Sequence, residues 1–390
     1  MDNFAATLQD TVRIFSHLTI LALLGLFSYH LGSNLYFLNR SRRAAKRVRL
    51  PQPRVSVLVP ARNEAATIAA CVTSLLQQEY NNYELIVLND GSTDNTGAQL
   101  DQLAEAHPHL KVIHASHSLP AGWNGKSYAC HRLAQQATGE WLLFTDADTR
   151  HTPQSIAQGV AHALALDVDL LSAFPAQETR TWSERIFVSF IIDFLPLIGL
   201  NFRAIYAGKG AHTASNGQYL LIRATAYHQS GGHAAIHHET LDDFALAKHF
   251  RLGGYKIALI DGQELLSCRM YRTVREVWEG FSRSLMHGLD NSTLHSHSLW
   301  WALLFAWGYG SIFVTPFYAS FLPEYRYLAL FEIAWLLLLR GVASWHLHRS
   351  PLEVLTTPLA AWGVMALAIT ALYRRRIGQK VNWKGRYYAG

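Results

Sequence analysis

Apolar residues fall into two patterns along the chain. Uncharged runs stand at residues 14–39, 299–322 and 354–373, each long enough to cross a bilayer as a helix, since about 20 residues span the hydrocarbon core. The first predicts a transmembrane anchor rather than a cleaved leader: Asp2 and Asp10 precede it, and no small-residue cleavage site separates it from the basic stretch that follows. Residues 327–345 are also apolar but carry Glu332 and Arg340. That predicts a re-entrant or interfacial segment with both charges in water or among headgroups.

Between these runs the period changes. Apolar stretches of strand length occur at 55–59, 84–88, 111–114 and 141–144, and helical patterns follow at 66–78, 96–105, 128–136 and 153–164. The alternation predicts an α/β domain with a Rossmann-like, mainly parallel sheet. The chain then divides into an anchor with a basic juxtamembrane segment (1–50), the α/β domain (51–290), and a C-terminal membrane region with a basic tail (291–390). The apolar stretch 186–200 around Asp193 leaves two readings, a segment in the membrane interface or a buried core helix.

Composition and charge sharpen the membrane reading. Half of the 390 residues are hydrophobic and 16% are charged, against about a quarter in soluble proteins. The net charge of +6 raises nucleic acid as a partner, but Arg40, Arg42, Arg43, Lys46, Arg47 and Arg49 sit together directly after the first apolar run. There the positive-inside rule accounts for them without a nucleic acid. It puts the α/β domain in the cytoplasm, on a multi-pass protein of the cytoplasmic membrane. Two C-terminal crossings, not three, keep the basic tail on the same side. Cys71, Cys130 and Cys268 are isolated, which argues against a disulfide framework or a thiolate metal site.

The candidate chemistry lies at strand ends, where ligands bind in such sheets. The first strand runs into Pro60-Ala61-Arg62-Asn63-Glu64, the second into Asn89-Asp90-Gly91-Ser92-Thr93-Asp94, the fourth into Thr145-Asp146-Ala147-Asp148. Crowded carboxylates repel unless a cation sits among them, and a divalent metal bridging two phosphates answers that need. If the backbone stays extended, Asp146 and Asp148 point the same way. Lys126, in Gly122-Trp123-Asn124-Gly125-Lys126, can neutralise diphosphate as a point cation. His233, His237 and His238 match no standard zinc spacing and read as a mobile acceptor loop, and Gly208-Lys209-Gly210 is no Walker loop.

This ordered set, with Leu241-Asp242-Asp243, resembles the family 2 glycosyltransferases of GT-A fold from about Val55 to about Gly288. The resemblance implies that Pro60, Ala61, Arg62, Glu64 and Asp90 hold the nucleobase and ribose of a UDP-sugar donor. Asp146 would approach the ribose, and Asp148 would bind Mg2+ or Mn2+. Asp243 would be the base of an inverting transfer, with Asp242 beside it; the bland alternative is that both acids cap a helix. Arg269 and Arg272 would reach the diphosphate, and Trp278 would lie on the acceptor side. The chain lacks the Gln-x-x-Arg-Trp motif of polysaccharide synthases, which argues against a processive enzyme.

The Gly-Trp-x-Gly-Lys loop, Cys268-Arg269-Met270-Tyr271 and the tail Trp383-Lys384-Gly385-Arg386 are most similar to bacterial carotenoid glucosyltransferases of the hydroxychlorobactene type. That likeness implies glucose from UDP-glucose and a lipophilic acceptor drawn from the lipid bilayer. Polyprenyl phosphate, hopanoid and glycerolipid acceptors are the alternatives, and an inactive nucleotide-sugar-binding membrane protein is the alternative from another class. A nucleotidyltransferase would need a glycine-rich loop where Pro60 to Glu64 has none.

Overall fold

The computed structural model describes residues 2–48, 52–115, 119–208, 212–290, 312–377, 381–383 and 386–388. Four strands follow the predicted apolar stretches: β1 (Val55–Ala61), β2 (Tyr83–Asn89), β3 (Leu110–His114) and β4 (Trp141–Phe144). Four more complete the sheet: β5 (Thr149–His151), β6 (Leu170–Gln177), β7 (Leu220–Arg223) and β8 (Ile257–Cys268). The order is β3-β2-β1-β4-β7-β6-β8-β5. Pairing is parallel from β3 through β4 and between β6 and β8, while β7 runs antiparallel to both its neighbours and β5 antiparallel to β8. The central β1 and β4 are almost wholly buried, as strands covered on both faces must be.

The helices Ile68–Leu76, Thr96–Ala106, Gly125–Gln136 and Ser155–Leu166 fall where the sequence pattern puts them. The first helix of the chain, Asp2–Ala45, has 44 residues and rises roughly 66 Å at 1.5 Å per residue. That is more than a bilayer needs. Its later turns lie on the α/β domain: Asn34 Nδ2 donates to the carbonyls of Leu197 and Leu200 at 2.8 Å each, Ser41 Oγ lies 2.9 Å from His162 Nδ1, and Arg42 pairs with Asp261 at 3.1 Å. Arg42 thus serves the fold as well as the charge bias.

Among the described residues, two helices, Asp10–Ala45 and Arg326–His346, are long and apolar enough to cross a membrane. Both keep large apolar side chains exposed, among them Phe15, Leu18, Tyr327 and Leu338. The second corrects the expectation for residues 327–345. The segment is one helix of 21 residues, and its charges are neither in water nor at headgroups. Glu332 is fully buried with both carboxylate oxygens about 3 Å from His17 Nδ1. Arg340, also buried, donates to Ser189 O at 3.0 Å and Ser189 Oγ at 2.5 Å. A charge in an apolar bundle is tolerated when protein groups satisfy it, and here the partners come from distant parts of the chain.

The apolar stretch around Asp193 takes the buried reading. Glu184–Phe194 is a π-helix continued by the α-turn Leu195–Gly199. Phe190 and Phe194 are fully buried, and Asp193 pairs with Arg349 at 2.6 Å. Helix Thr357–Arg376 packs closely on it: a Cβ on Gly363 would lie 2.0 Å from a Phe187 ring carbon. Gly363→Ala should therefore cost about 1–3 kcal/mol of stability through overpacking, read as a lower melting temperature in detergent; unchanged melting would deny this contact. The predicted run 299–322 lies largely outside the described residues; the short helix Thr315–Ala319 is described near its end. Arg49, Lys209, Gly210, Lys384 and Gly385 also lie outside them.

Candidate active site

β1 and β2 end side by side, and side chains stitch the loops that follow. Asn63 N donates to Ser92 Oγ (3.0 Å), Thr93 N to Asn63 Oδ1 (2.8 Å), Glu64 N to Thr96 Oγ1 (2.8 Å) and Ala65 N to Asp94 Oδ2 (3.1 Å). Gly91, at φ +61°, supplies the left-handed turn that brings them together. The Arg62 guanidinium donates to the carbonyls of Asp90 and Gly91. The polar residues after both strands therefore build the loops as well as line them.

The turn after β4 is held from below. Thr149 Oγ1 donates to Asp146 O at 2.7 Å, and Thr145 Oγ1 donates to Gln218 O at 2.8 Å and lies 2.9 Å from His151 Nε2. Burial pushes His151 down to about 3, so its ring is neutral. The backbone bends at residues 147–148 rather than staying extended, yet Asp146 and Asp148 reach the same place. Eight of the predicted donor-site residues, Pro60, Ala61, Arg62, Glu64, Asp90, Lys126, Asp146 and Asp148, line one open cleft of about 150 Å³.

Glu64, Asp146 and Asp148 bring hard oxygen donors to this cleft, a set that suits Mg2+ or Mn2+ better than a soft ion. Their field reaches the residues behind them. Burial pushes the Cys71 thiol up to about 12, and the charges of Asp148, Asp146 and Glu64 push the same way. The Cys268 thiol is likewise held well up, by burial and then by Asp148 and Asp146. A divalent cation would relieve this concentration of negative charge.

Lys126 joins the cleft to the acid pair. Asn124 caps helix Gly125–Gln136 by accepting from Lys126 N at 2.9 Å, which places the lysine in the first turn with Nζ 2.8 Å from Asp146 Oδ1 and 3.7 Å from Asp242 Oδ2. Burial works against its ammonium, but the charges of Asp146 and Asp242 outweigh it and hold the pKa well above the usual range. The same loop docks on the segment before the acids: Asn124 N donates to His237 O at 2.7 Å, and Trp123 packs 5.3 Å from the His237 ring.

Asp242 and Asp243 begin helix Asp242–Leu252, so the capping reading and the functional one share a geometry. Asp243 accepts from Gly217 N through Oδ2 and from Phe244 N through Oδ1, both at 2.8 Å. Burial, and then the charge of Asp242, push the Asp243 carboxyl up to about 6 against the pull of Lys126 and the two N–H donors. The histidines before the pair correct the loop expectation in part. His233 is only 1% exposed and His237 is packed on Trp123, while His238 stays outward beside Glu239.

Residues 56–227 match the model of glycosyl transferase family 2. The matched segment includes every residue that lines the cleft. Over 368 residues it is 24% identical to 4,4'-diaponeurosporenoate glycosyltransferase of Staphylococcus aureus strain MRSA252, covering 91% of this chain and 93% of that protein. Its fold is similar to that of a mannosyltransferase from Pyrobaculum calidifontis solved with GDP-Man and Mn2+, with a TM-score of 0.50 and 18% identity over 93% of this chain and 99% of that one. The architecture is GT-A.

Besides the acid pair, three predicted residues, all beyond the matched segment, lie apart from this cleft. Arg269 and Arg272 line a neighbouring cavity with Thr67, Arg150, Glu178 and Arg180, joined to the cleft through Asp148, which lines both. Arg269 Nε is tied to the buried Glu184 at 2.9 Å, a partner the sequence pattern did not indicate. Trp278 is half-buried on helix Val274–Asp290, at whose start Glu276 N donates to Thr273 Oγ1 at 3.2 Å and Arg272 N donates to Glu276 Oε2 at 2.7 Å. Tyr271 locks the arginine loop to that helix, its ring 5.0 Å from that of Phe281.

Proposed function

We propose that the protein is an inverting, metal-dependent glycosyltransferase that moves a sugar, glucose from UDP-glucose, to a hydroxyl of a carotenoid-type lipophilic acceptor. The observation that carries this reading is the continuity of one site. The donor cleft and the acid pair share Lys126, whose Nζ lies between Asp146 and Asp242. The S. aureus relative, which spans nearly the whole chain, is named for a carotenoid-type substrate.

In this reading Pro60 to Glu64 and Asp90 seat the nucleoside, and Asp146 approaches the ribose. Asp148 holds Mg2+ or Mn2+, which supplies charge stabilisation to the diphosphate. Lys126 offsets part of the same charge, and Arg269 and Arg272 meet it from the far side of Asp148. Asp243 takes the acceptor hydroxyl's proton as the oxygen attacks the anomeric carbon; the bond to the diphosphate breaks and UDP leaves with that electron pair. Trp278 stands on the acceptor side.

The exposed apolar helices favour a membrane setting, and the basic stretch after residue 39 favours a cytoplasmic catalytic face. A carotenoid alcohol would then reach the site from the bilayer. Membranes containing the protein, given labelled UDP-glucose and a hydroxylated carotenoid, should yield a labelled lipid whose anomeric configuration is inverted. Transfer only to polyprenyl phosphate or glycerolipid would replace the acceptor, and UDP release with no lipid product would overturn the assignment.

The raised Asp243 pKa sets a pH dependence. A base must be ionised, and the folded-state value of about 6 lies above the ordinary carboxylate range. The rate should therefore be full above that value and fall about tenfold per pH unit below it. An acid limb near pH 4 instead would show that another group controls the rate.

A further inference from the structure

Helix Thr357–Arg376 is built from the uncharged run 354–373, which is long enough to cross a bilayer. Both its ends nevertheless belong to one side of the molecule. Its entry is fixed by the helix before it. His346 closes helix Arg326–His346 and places Nε2 3.3 Å from Asp261 Oδ2, the same oxygen that Arg42 meets at 3.1 Å. The first helix and helix Arg326–His346 therefore end together, against β8 of the α/β domain.

The far end of helix Thr357–Arg376 lies at the active site. Arg374 Nη1 donates to Ser282 Oγ at 2.8 Å, and Leu285 packs against the buried Ala371. Ser282 follows Phe281, whose ring meets Tyr271, and Tyr271 stands between the two arginines that line a cavity with Asp148. Nearer the start, Gly363 sits on Phe187 of the π-helix. One face of the helix is used up by these contacts: Ala360, Ala361, Val364 and Leu367 are no more than 4% exposed.

The opposite face is apolar and bare. Leu359, Trp362, Ile369 and Tyr373 are each more than half exposed, and steps of three, seven and four residues put them on one side of a helix. Leu352 and Leu355, in the short helix just before, are more exposed still and extend the row. The row begins six residues after helix Arg326–His346 ends, where that helix would leave the bilayer. An exposed apolar row of this length marks an interaction surface.

We propose that helix Thr357–Arg376 lies flat on the cytoplasmic surface of the bilayer instead of crossing it, with Leu359, Trp362, Ile369 and Tyr373 set among the lipid headgroups and upper acyl chains. A helix that crossed would carry Arg374 to the side opposite Asp148, yet the contacts through Ser282, Phe281 and Tyr271 hold the two together. The charge bias agrees, because the six basic residues from Arg374 to Arg386 then stay on the side of the basic stretch after residue 39. An apolar face with its other side satisfied suits the interfacial plane, and Trp and Tyr favour that level. The flat helix also holds helix Val274–Asp290, which carries Trp278, beside the lipid from which the acceptor would come. The inference rests on the proposed membrane setting and cytoplasmic catalytic face.

The three native cysteines are buried, so introduced ones can be labelled selectively. Spin labels at Trp362→Cys and Tyr373→Cys, on the full chain in lipid nanodiscs, should both contact lipid at depths equal within about 5 Å; a crossing helix would separate them by about 16 Å. Depths that differ by that amount would overturn the proposal. So would two labels shielded from lipid, as a second copy on this face would leave them. In intact cells an impermeant maleimide should spare both Arg376→Cys and Lys256→Cys, each at an exposed position, and should label both after lysis. Labelling of Arg376→Cys alone in intact cells would again mean a crossing. Labelling of both would place the catalytic face outside and sink the cytoplasmic reading, while equal depths at the two spin labels would still establish the flat helix.

Discussion

Asp243→Asn is expected to lower sugar transfer by about 10²- to 10⁴-fold, the range lost with a general base, while UDP binding stays measurable. The amide matches the carboxylate in shape, and its oxygen can still accept from one of the two N–H groups, of Gly217 and Phe244, that hold the native side chain. It cannot take a proton. Asp243 is not among the residues lining the donor cleft, so nucleotide affinity, measured by calorimetry, should change little. Full activity in this variant would remove Asp243 from the mechanism and leave Asp242 and Asp243 as a helix cap.

The second large effect concerns Asp148. Asp148→Asn, or a chelator applied to the wild type, should lower transfer by about 10³-fold, equivalent to roughly 4 kcal/mol of charge stabilisation. Mn2+ added back should restore the chelated wild type but not the variant. The two experiments separate the metal from the fold, because the turn carrying Asp148 is held by Thr145, Thr149 and the Gln218 carbonyl, none of which needs a metal. Transfer that survives the chelator at full rate would mean that Lys126 and the neighbouring arginines neutralise the diphosphate alone.

Much of the cleft's lining was legible from the residues in order. β1, β2 and β4 are short buried runs that end in polar clusters, and a parallel sheet aligns such ends without further instruction. The later strands were not legible for physical reasons. β5 has three residues and β7 four, and β8 passes through Asp261, Gly262, Gln263 and Glu264. Such segments become strands because neighbours pair with them, which local pattern does not record. The same holds for Glu332 and Arg340. A charge in an apolar run reads as a break in that run until its partner is known, and His17 and Ser189 lie more than a hundred residues away.

By itself, then, the sequence determined the α/β alternation, the apolar runs of spanning length and the strand-end clusters that line the cleft, because each depends on residues close together in the chain. Tertiary structure alone decided the bridge from Asp146 through Lys126 to Asp242, the raised proton affinity of Asp243, and the gathering of Cys130 and His233 beside Asp242. Those properties come from burial and from charges packed together across the fold, which no local pattern of residues contains.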